Sequence, residues 1–291
     1  MTPPALTLGF SPCPNDTFIF HALVSGRVPT PGFTLLPEVL ADVETLNSWA
    51  MAGRLDVTKL SFHALGHCLD HYVLLAAGAA LGRGCGPLVV ARPGLVHQGL
   101  RGVTVAIPGH FTTAALLFKM CYPECRSVVA MPFARIMPAV VAGEVGAGVI
   151  IHESRFTYRS HGLEPLTDLG AWWERSTGHP IPLGGIVARR TLGAEVIAAL
   201  EEAIRASLLA ARRDPGLAAP YIKAHAQELD DQVIADHIGL YVNDASLDLG
   251  PEGQEAVREF LRRGHALGLF KATPSRLHNQ FSAPREGLDH V

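Results

Sequence analysis

The fold follows from Ala142-Gly143-Glu144-Val145-Gly146-Ala147-Gly148-Val149-Ile150-Ile151, because an earlier part of the chain has a similar pattern. The earlier copy is Ala52-Gly53-Arg54-Leu55-Asp56-Val57-Thr58-Lys59-Leu60-Ser61. Each copy has Ala-Gly where a helix would end, since glycine accepts the left-handed conformation that often follows a helix. Each copy then enters a segment that is typical of a buried strand. The sequence therefore predicts a helix followed by a strand at both places.

A second pair of similar segments occurs upstream of these two, in the same order along the chain. Leu6 to Phe10 and Val103 to Ile107 are predicted strands, and a proline-bearing turn follows each of them. A helix that opens with threonine comes next, from Thr17 to Val24 and from Thr113 to Met120. Two repeats in the same order indicate two similar α/β lobes.

The remaining pattern completes a two-lobe clamshell. Lobe one is predicted to contain residues 1–92 and 190–291, and lobe two residues 93–189, with crossings at 92–94 and 188–190. Amphipathic spacing predicts helices after residue 191, including Leu192 to Arg212. The weakly patterned tail from Thr273 to Val291 is predicted to be disordered. A ligand would bind in the cleft between the lobes.

Composition excludes several classes of protein. The chain has 291 residues, of which 48% are hydrophobic and 18% charged, and its formal net charge is −3. No basic face indicates a nucleic-acid partner, and no apolar run reaches the roughly 20 residues of a membrane span. No export signal is visible at the start of the sequence. We therefore expect a cytoplasmic protein with a small-molecule partner, and a homodimer stays an open alternative.

The cysteines do not predict a metal site. Five of them are scattered, at positions 13, 68, 85, 121 and 125. Cys121 and Cys125 have a spacing that could bind a metal on a helix, but no second pair of cysteines or histidines completes a tetrahedral site. We expect no metal and no cofactor. The glycine-rich stretch 82–87 does not match a dinucleotide motif, and indicates either a close backbone approach or a mobile loop.

His152 is the candidate catalytic residue. It follows the apolar run that ends at Ile151, and functional groups of open α/β sheets cluster just beyond the carboxyl ends of strands. Imidazole is well suited to take a proton near neutral pH. A histidine that only caps the strand is the alternative.

Two turns would present helix N-termini to the cleft, where free N–H groups favour an anion. Asn15 and Thr17 belong to the first turn, and Thr112 and Thr113 to the second. Simple capping is the alternative for each residue. Lys59 would be costly to bury unless it is paired or lies at a rim, so it is a candidate to bind a substrate acid.

Four segments together resemble the 1,4-dihydroxy-6-naphthoate synthase family, which acts in the futalosine route to menaquinone. They are Leu8 to Phe18, Thr58 to Ser61, Gly82 to Val89 and Ile150 to Phe156. The resemblance covers nearly the whole chain up to about residue 270. It implies a periplasmic-binding-protein-like clamshell of type II, in agreement with the two repeats.

The resemblance also implies a reaction and a site. Members of the family convert cyclic dehypoxanthinyl futalosine to 1,4-dihydroxy-6-naphthoate with loss of the sugar remnant. His152 corresponds to the family's catalytic base. The substrate-binding segments correspond to Lys59-Leu60-Ser61 and to Thr113-Ala114, and we add Asn15 and Thr112 from the two turns.

A non-catalytic protein that binds a small carboxylate is the alternative function, because clamshell folds serve mostly binding elsewhere. A sensor domain of a transcription regulator is less favoured, since no basic helix-turn-helix segment is visible.

Overall fold

The structure is a computed structural model that describes residues 2–95, 100–226 and 230–270. The strands are β1 (Ala5–Leu6), β2 (Leu8–Phe10), β3 (Thr34–Leu35), β4 (Val39–Leu40), β5 (Val57–Ser61), β6 (Tyr72–Leu74), β7 (Ala80–Gly82), β8 (Leu88–Ala91), β9 (Val105–Ile107), β10 (Val128–Ala130), β11 (Ala147–Ile150), β12 (Glu164–Asp168) and β13 (Ile181–Arg189).

The helices alternate with strands in the first two thirds of the chain and follow one another in the last third. They are α1 (Pro14–Val24), α2 (Val43–Met51), α3 (Phe62–Cys68), α4 (Thr113–Cys121), α5 (Phe133–Ala142), α6 (Ser154–Thr157), α7 (Leu169–Thr177), α8 (Ala194–Arg213), α9 (Pro215–His225), α10 (Asp231–Tyr241), α11 (Asp244–Leu247) and α12 (Gly250–Ala266). The predicted disordered tail, from Thr273 onwards, lies outside the described residues.

Two mixed sheets form the centres of two lobes. Lobe one contains a six-stranded sheet in the order β4-β2-β5-β13-β6, with β7 also paired to β13. Lobe two contains a five-stranded sheet in the order β10-β9-β11-β8-β12. A small parallel pair, β1 with β3, lies apart from both sheets. The predicted α/β architecture with two sheets is confirmed.

Strand pairing corrects both predicted crossings between the lobes. Leu88–Ala91, which we expected in lobe one, pairs antiparallel with β11 in lobe two. The strand around Ile186, expected in lobe two, belongs to β13 and pairs with β5 in lobe one. The chain therefore crosses within residues 83–87 and again between α7 and β13. Periodicity identifies a buried strand but not its partner, because β8 and β13 are apolar enough for either sheet.

The first crossing is the glycine-rich stretch, and it makes the close backbone approach that was one of its two expected roles. A Cβ atom on Gly86 would lie 2.3 Å from the Cα atom of Gly170, so only glycine fits there. Arg155 fixes the same stretch by donating hydrogen bonds to the carbonyl oxygens of Gly84, at 2.8 Å, and of Gly86.

Hydrophobic clusters stabilise each lobe and join the two. One cluster in lobe one packs Phe10 and Phe20 against α8, whose apolar face buries Leu200, Ile204 and Leu208. A second cluster packs α5 on the sheet of lobe two. A third, around Phe62 and other residues of both lobes, is shared between them. In the described ranges no helix is both long and apolar enough to cross a membrane.

Candidate active site

One cavity lies between the lobes, and every site residue predicted from the sequence lines it. Lobe one contributes the turn after β2, the end of β5 and part of β13, and lobe two contributes the start of α4 and the turn after β11. The predicted residues on its wall are Asn15, Lys59, Leu60, Ser61, Thr112, Thr113, Ala114 and His152. Segments distant in sequence thus converge at the carboxyl ends of strands.

His152 is held in an unusual backbone conformation at the mouth of β11. Its φ is +55°, and no other non-glycine residue among those described has a positive φ. That conformation is disfavoured for residues with a Cβ atom and is often found at functional sites. The imidazole lies 5.1 Å from the ring of Phe133 and 6.1 Å from the nearly parallel ring of His237, measured between centroids.

The electrostatic surroundings keep His152 neutral in the resting site. Burial lowers the pKa of His152, and the carboxylates of Glu153 and Asp16 act against that effect by raising it. A nearby positive charge on Lys59 lowers the pKa further. An imidazole whose pKa lies below its ordinary value is unprotonated at neutral pH, so it is able to accept a proton.

A chain of hydrogen bonds connects five polar side chains at the cavity wall. Lys59 Nζ donates to Asp16 Oδ1 over 2.7 Å, and both side chains are buried. Asn15 Nδ2 donates to the same oxygen at 2.8 Å, which directs Asn15 Oδ1 towards His237 Nε2 at 2.9 Å. Ser11 donates its hydroxyl proton to Asp16 Oδ2 at 2.7 Å. The Lys59 charge is therefore balanced within the protein.

His237 is a neutral donor at the end of this chain. Asn15 Oδ1 can only accept, so the proton of the neutral ring lies on Nε2 of His237. Burial, followed by the influence of His152 and Lys59, holds the pKa of His237 well below its ordinary range. Its other nitrogen, Nδ1, has no hydrogen-bond partner in the described part of the chain.

The start of α4 offers donors that face the cavity. Thr112 caps this helix, and its hydroxyl oxygen accepts from the N–H of Ala115 at 3.2 Å. The first N–H groups of a helix have no partner within it, which leaves those of Thr113 and Ala114 able to bind an anion. The hydroxyl of Thr113 donates to the carbonyl of Leu183 in β13 at 2.6 Å.

Ser61 adds a hydroxyl on the opposite wall. Its N–H donates to Asn47 Oδ1 at 2.8 Å, and its Oγ accepts from Asn47 Nδ2 at 3.2 Å. Because Oγ is an acceptor in that bond, its own proton is directed elsewhere and can be donated to a ligand. Asn47, on α2, therefore orients Ser61.

Glu153 and Cys13 lie beside the candidate base. The thiol of Cys13, a ring nitrogen of His152 and a carboxylate oxygen of Glu153 are all within 4.8 Å of one another. Glu153 is only 6% exposed, and its Oε2 has no hydrogen-bond partner among the described residues. Burial, followed by the Glu153 charge, raises the pKa of Cys13 well above its ordinary value, so the thiol is protonated.

Several residues near the site were missing from the sequence-based candidates. Cys13 and Asp16 lie in the first turn, where the pattern indicated only a turn and a cap. His237 and Tyr241 are one helical turn apart on α10, and their rings are 4.7 Å apart. Tyr241 lines the cavity. Arg155, in contrast, points to the crossing and pairs with Asp168 at 2.8 Å, so it supports the structure around the site.

Comparison with known proteins gives a consistent result. A sequence profile for menaquinone biosynthesis matches residues 6–266. A 1,4-dihydroxy-6-naphthoate synthase from Thermus thermophilus is 54% identical over 273 residues, which are 94% of this chain and 98% of that protein. Its namesake from Streptomyces coelicolor is 49% identical over 277 residues, 94% and 97% of the two chains.

Solved structures confirm the clamshell. A crystal structure of a protein from Archaeoglobus fulgidus has a TM-score of 0.86 and 35% identity, and the match covers 91% of this chain and 98% of that one. The periplasmic aliphatic sulphonate binding protein of Escherichia coli has a TM-score of 0.65 at 12% identity, covering 100% and 96%. The latter likeness shows the periplasmic-binding-protein-like fold alone. With the profile and both relatives in agreement, the chain belongs to the menaquinone biosynthesis family.

Proposed function

We propose that this protein is a 1,4-dihydroxy-6-naphthoate synthase, a lyase that converts cyclic dehypoxanthinyl futalosine and uses His152 as the base. The observation that carries the proposal is the convergence of all eight predicted site residues on one cavity. Relatives that match nearly the whole chain bear the name of this enzyme, which supports the reaction.

The substrate carboxylate binds at the start of α4. There the N–H groups of Thr113 and Ala114 point their positive ends at the cavity, and the helix dipole favours a negative charge. Ser61 donates a third hydrogen bond from lobe one. Lys59 lines the cavity and pairs with Asp16 at 2.7 Å, so it holds Asp16 in place. Its ammonium group has two further N–H donors, and its binding to the substrate acid stays a prediction.

His152 then removes a proton from the sugar portion of the substrate. The electron pair of the broken C–H bond forms a carbon–carbon double bond, and the bond to the sugar remnant breaks as the second ring becomes aromatic. The remnant leaves with the electron pair of that bond and takes a proton from the imidazolium of His152, which restores the base. The step transfers no electrons to or from the protein, so it requires no redox cofactor. Aromatisation supplies much of the driving force, and the protein supplies a base in a site that excludes water.

Glu153 stabilises the imidazolium that this step creates. Its carboxylate is the nearby charge that most raises the pKa of His152, and its Oε2 has no hydrogen-bond partner within the described residues. A new positive charge on the neighbouring imidazole strongly stabilises a buried carboxylate. His237 stays neutral beside the imidazolium, since its pKa is held low, and therefore adds no repulsion.

The decisive experiment replaces the base. His152→Asn keeps a polar side chain of similar size but removes useful basicity, and we expect the rate of naphthoate release to fall about 100-fold or more. The variant is incubated with the cyclic substrate, and the product is measured by chromatography. His161→Asn is the matched control, because His161 is exposed in a short 3-10 turn of the same lobe.

Release of naphthoate by His152→Asn at the wild-type rate would show that another group is the base. Recovery of only unchanged substrate from the wild-type protein would favour the alternative, a non-catalytic carboxylate-binding protein. Mass spectrometry of the mixture distinguishes these outcomes. The cytoplasmic location and the homodimer stay predictions.

A further inference from the structure

Three potential metal ligands of different chemistry lie close together at His152, which lines the cavity. They are the Cys13 thiol, the His152 imidazole and the Glu153 carboxylate, whose ligand atoms lie within 4.8 Å of one another. Cys13 precedes α1 in lobe one, whereas His152 and Glu153 follow β11 in lobe two. An ion bound by all three would therefore connect the two lobes.

The carboxylate of Glu153 is buried without a full set of hydrogen-bond partners. Glu153 is 6% exposed, and its Oε2 has no hydrogen-bond partner among the residues described. Two cationic side chains around the site are already paired, Lys59 with Asp16 at 2.7 Å and Arg155 with Asp168 at 2.8 Å. Burial of an ionised carboxylate without compensation is costly, so the site favours an additional positive charge.

We propose that Cys13, His152 and Glu153 bind a zinc ion reversibly, and that the bound ion inhibits the enzyme. Sulfur, nitrogen and oxygen ligands in one site match the preference of Zn²⁺, whereas Mg²⁺ and Ca²⁺ select oxygen ligands. Binding releases the thiol proton of Cys13 to solvent. The thiolate and the carboxylate then carry two negative charges, which balance the two positive charges of the ion.

The geometry requires only a small contraction. Zinc bonds of 2.0–2.3 Å in a tetrahedral arrangement separate the ligand atoms by about 3.5 Å. The ligand atoms lie within 4.8 Å of one another, so they must approach by at most about 1.3 Å, which side-chain rotation or slight closure of the lobes can provide. Three protein ligands leave a fourth position for water or a substrate oxygen.

Inhibition follows because zinc binding and proton abstraction both use the lone pair of a ring nitrogen of His152. A ring nitrogen of His152 bound to zinc cannot take a proton from the substrate. This consequence rests on the proposed function, but binding of the ion does not. The two are therefore measured separately, binding by the spectrum of Co²⁺ and inhibition by product formation.

The binding experiment titrates metal-free protein with Co²⁺, because cobalt bound to a thiolate has a charge-transfer absorption that zinc lacks. We expect this absorption in the wild type, and its loss in Cys13→Ser. Cys121→Ser and Cys125→Ser are matched controls, since these are free cysteines away from the cavity, and both should retain the absorption. Glu153→Gln should weaken Co²⁺ binding at least tenfold.

Absence of the absorption in the wild type, or its persistence in Cys13→Ser, would overturn the site. His152→Asn provides a second test if Cys13→Ser does not fold, and unchanged Co²⁺ affinity in that variant would equally overturn it. In the activity assay, Zn²⁺ should inhibit the wild type, and a chelator should restore the rate. Full activity with zinc bound would refute inhibition. Lack of any turnover in metal-free wild type would instead count against the proposed function.

Discussion

The two strand–turn–helix units of this protein share a backbone design but differ in chemistry. Unit one runs from β2 through α1, and unit two from β9 through α4. The residue before each helix has nearly the same conformation, with φ and ψ of −64° and 149° at Cys13 and of −74° and 149° at Thr112. The difference therefore lies in the side chains that these similar turns carry.

The polar groups of unit one hydrogen-bond to one another and to Lys59 of β5. Asp16 lies in the first turn of α1 and accepts hydrogen bonds from Ser11, Asn15 and Lys59. Pro14 begins the helix, so one N–H group is missing there. Unit two has no acidic residue in its first turn and begins with Thr113, whose N–H is available. One repeat thus builds an internal network, and the other presents donors to a ligand.

The largest expected effect comes from disrupting the network of unit one. Lys59→Met leaves Asp16, which is 1% exposed, without its cationic partner. Removal of one partner from a buried ion pair typically destabilises a protein by about 3–5 kcal/mol. We expect a loss of about 3 kcal/mol, because Ser11 and Asn15 still donate to Asp16. Urea-induced unfolding at neutral pH measures this change.

The matched control is the double variant Lys59→Met with Asp16→Asn, which removes both charges. It should recover at least half of the lost free energy of unfolding, because no unpaired charge remains buried. Equal stabilities of the single and double variants would show that the ion pair contributes little and that unit one depends on packing.

The second effect concerns a histidine beneath unit two. His63 Nδ1 lies 3.3 Å from the carbonyl oxygen of Thr112. Burial, together with the neighbouring His67, lowers the pKa of His63 from 6.5 to about 4. The hydrogen bond to Thr112 raises it, and Lys119 lowers it. Protonation of His63 is therefore disfavoured in the folded state.

The direction of the pH effect follows from this lowered pKa. Between pH 6.5 and about 4 the unfolded chain binds a proton that folded His63 does not bind. Its contribution is therefore complete above pH 6.5, and about 3 kcal/mol of stability is lost as the pH falls to 4. His63→Gln should make the free energy of unfolding less dependent on pH by that amount. His161→Gln, at an exposed site, should retain the wild-type slope.

Local sequence was sufficient to predict the repeats, but not the contacts between them. Ala-Gly before β5 and β11, and the threonine that opens α4, are signals contained within a few residues. The pairing of Lys59 with Asp16 was foreseen only as a requirement, since a buried lysine needs a partner. That partner lies 43 positions earlier in the chain, a separation that periodicity does not describe.

The same limitation explains what was missed in the site. His237 lies on α10 and meets Asn15 across 222 residues of sequence, and nothing in the helix pattern marks that position. Cys13 was counted among scattered cysteines, and no metal was expected from their spacing. Only the fold brings Cys13 close to His152 and Glu153. Such clusters are properties of the tertiary structure.

The third prediction concerns a variant in which the helix of unit two begins with proline, as the helix of unit one does. Thr113→Pro removes an N–H from the start of α4, where proline is well tolerated, and Thr112 already has the extended conformation that precedes proline. Loss of a hydrogen bond to a charged ligand amounts to about 1.5–3 kcal/mol, so KM should rise about tenfold or more. Steady-state kinetics with the cyclic substrate measure this change.

Thr113→Val separates the backbone from the side chain. It keeps the N–H but loses the hydroxyl that donates to Leu183, so we expect a smaller rise of KM than in Thr113→Pro. A proline variant with the KM of the wild type would show that the carboxylate does not bind at the start of α4. Circular dichroism verifies that both variants retain their helices.

The smallest expected effect distinguishes a serine that stabilises the cavity wall from a serine that binds the substrate. Ser11 and Ser61 both line the cavity, but Ser11 donates its hydroxyl proton to Asp16 at 2.7 Å, whereas Ser61 has its proton available for a ligand. Ser11→Ala should therefore lower the free energy of unfolding by about 1 kcal/mol and leave KM nearly unchanged. Ser61→Ala should have the opposite profile, with KM raised several-fold and a smaller change in stability. Identical effects of the two variants on KM would mean that the network of unit one also contacts the substrate. Substrate binding would then not be confined to unit two and Ser61.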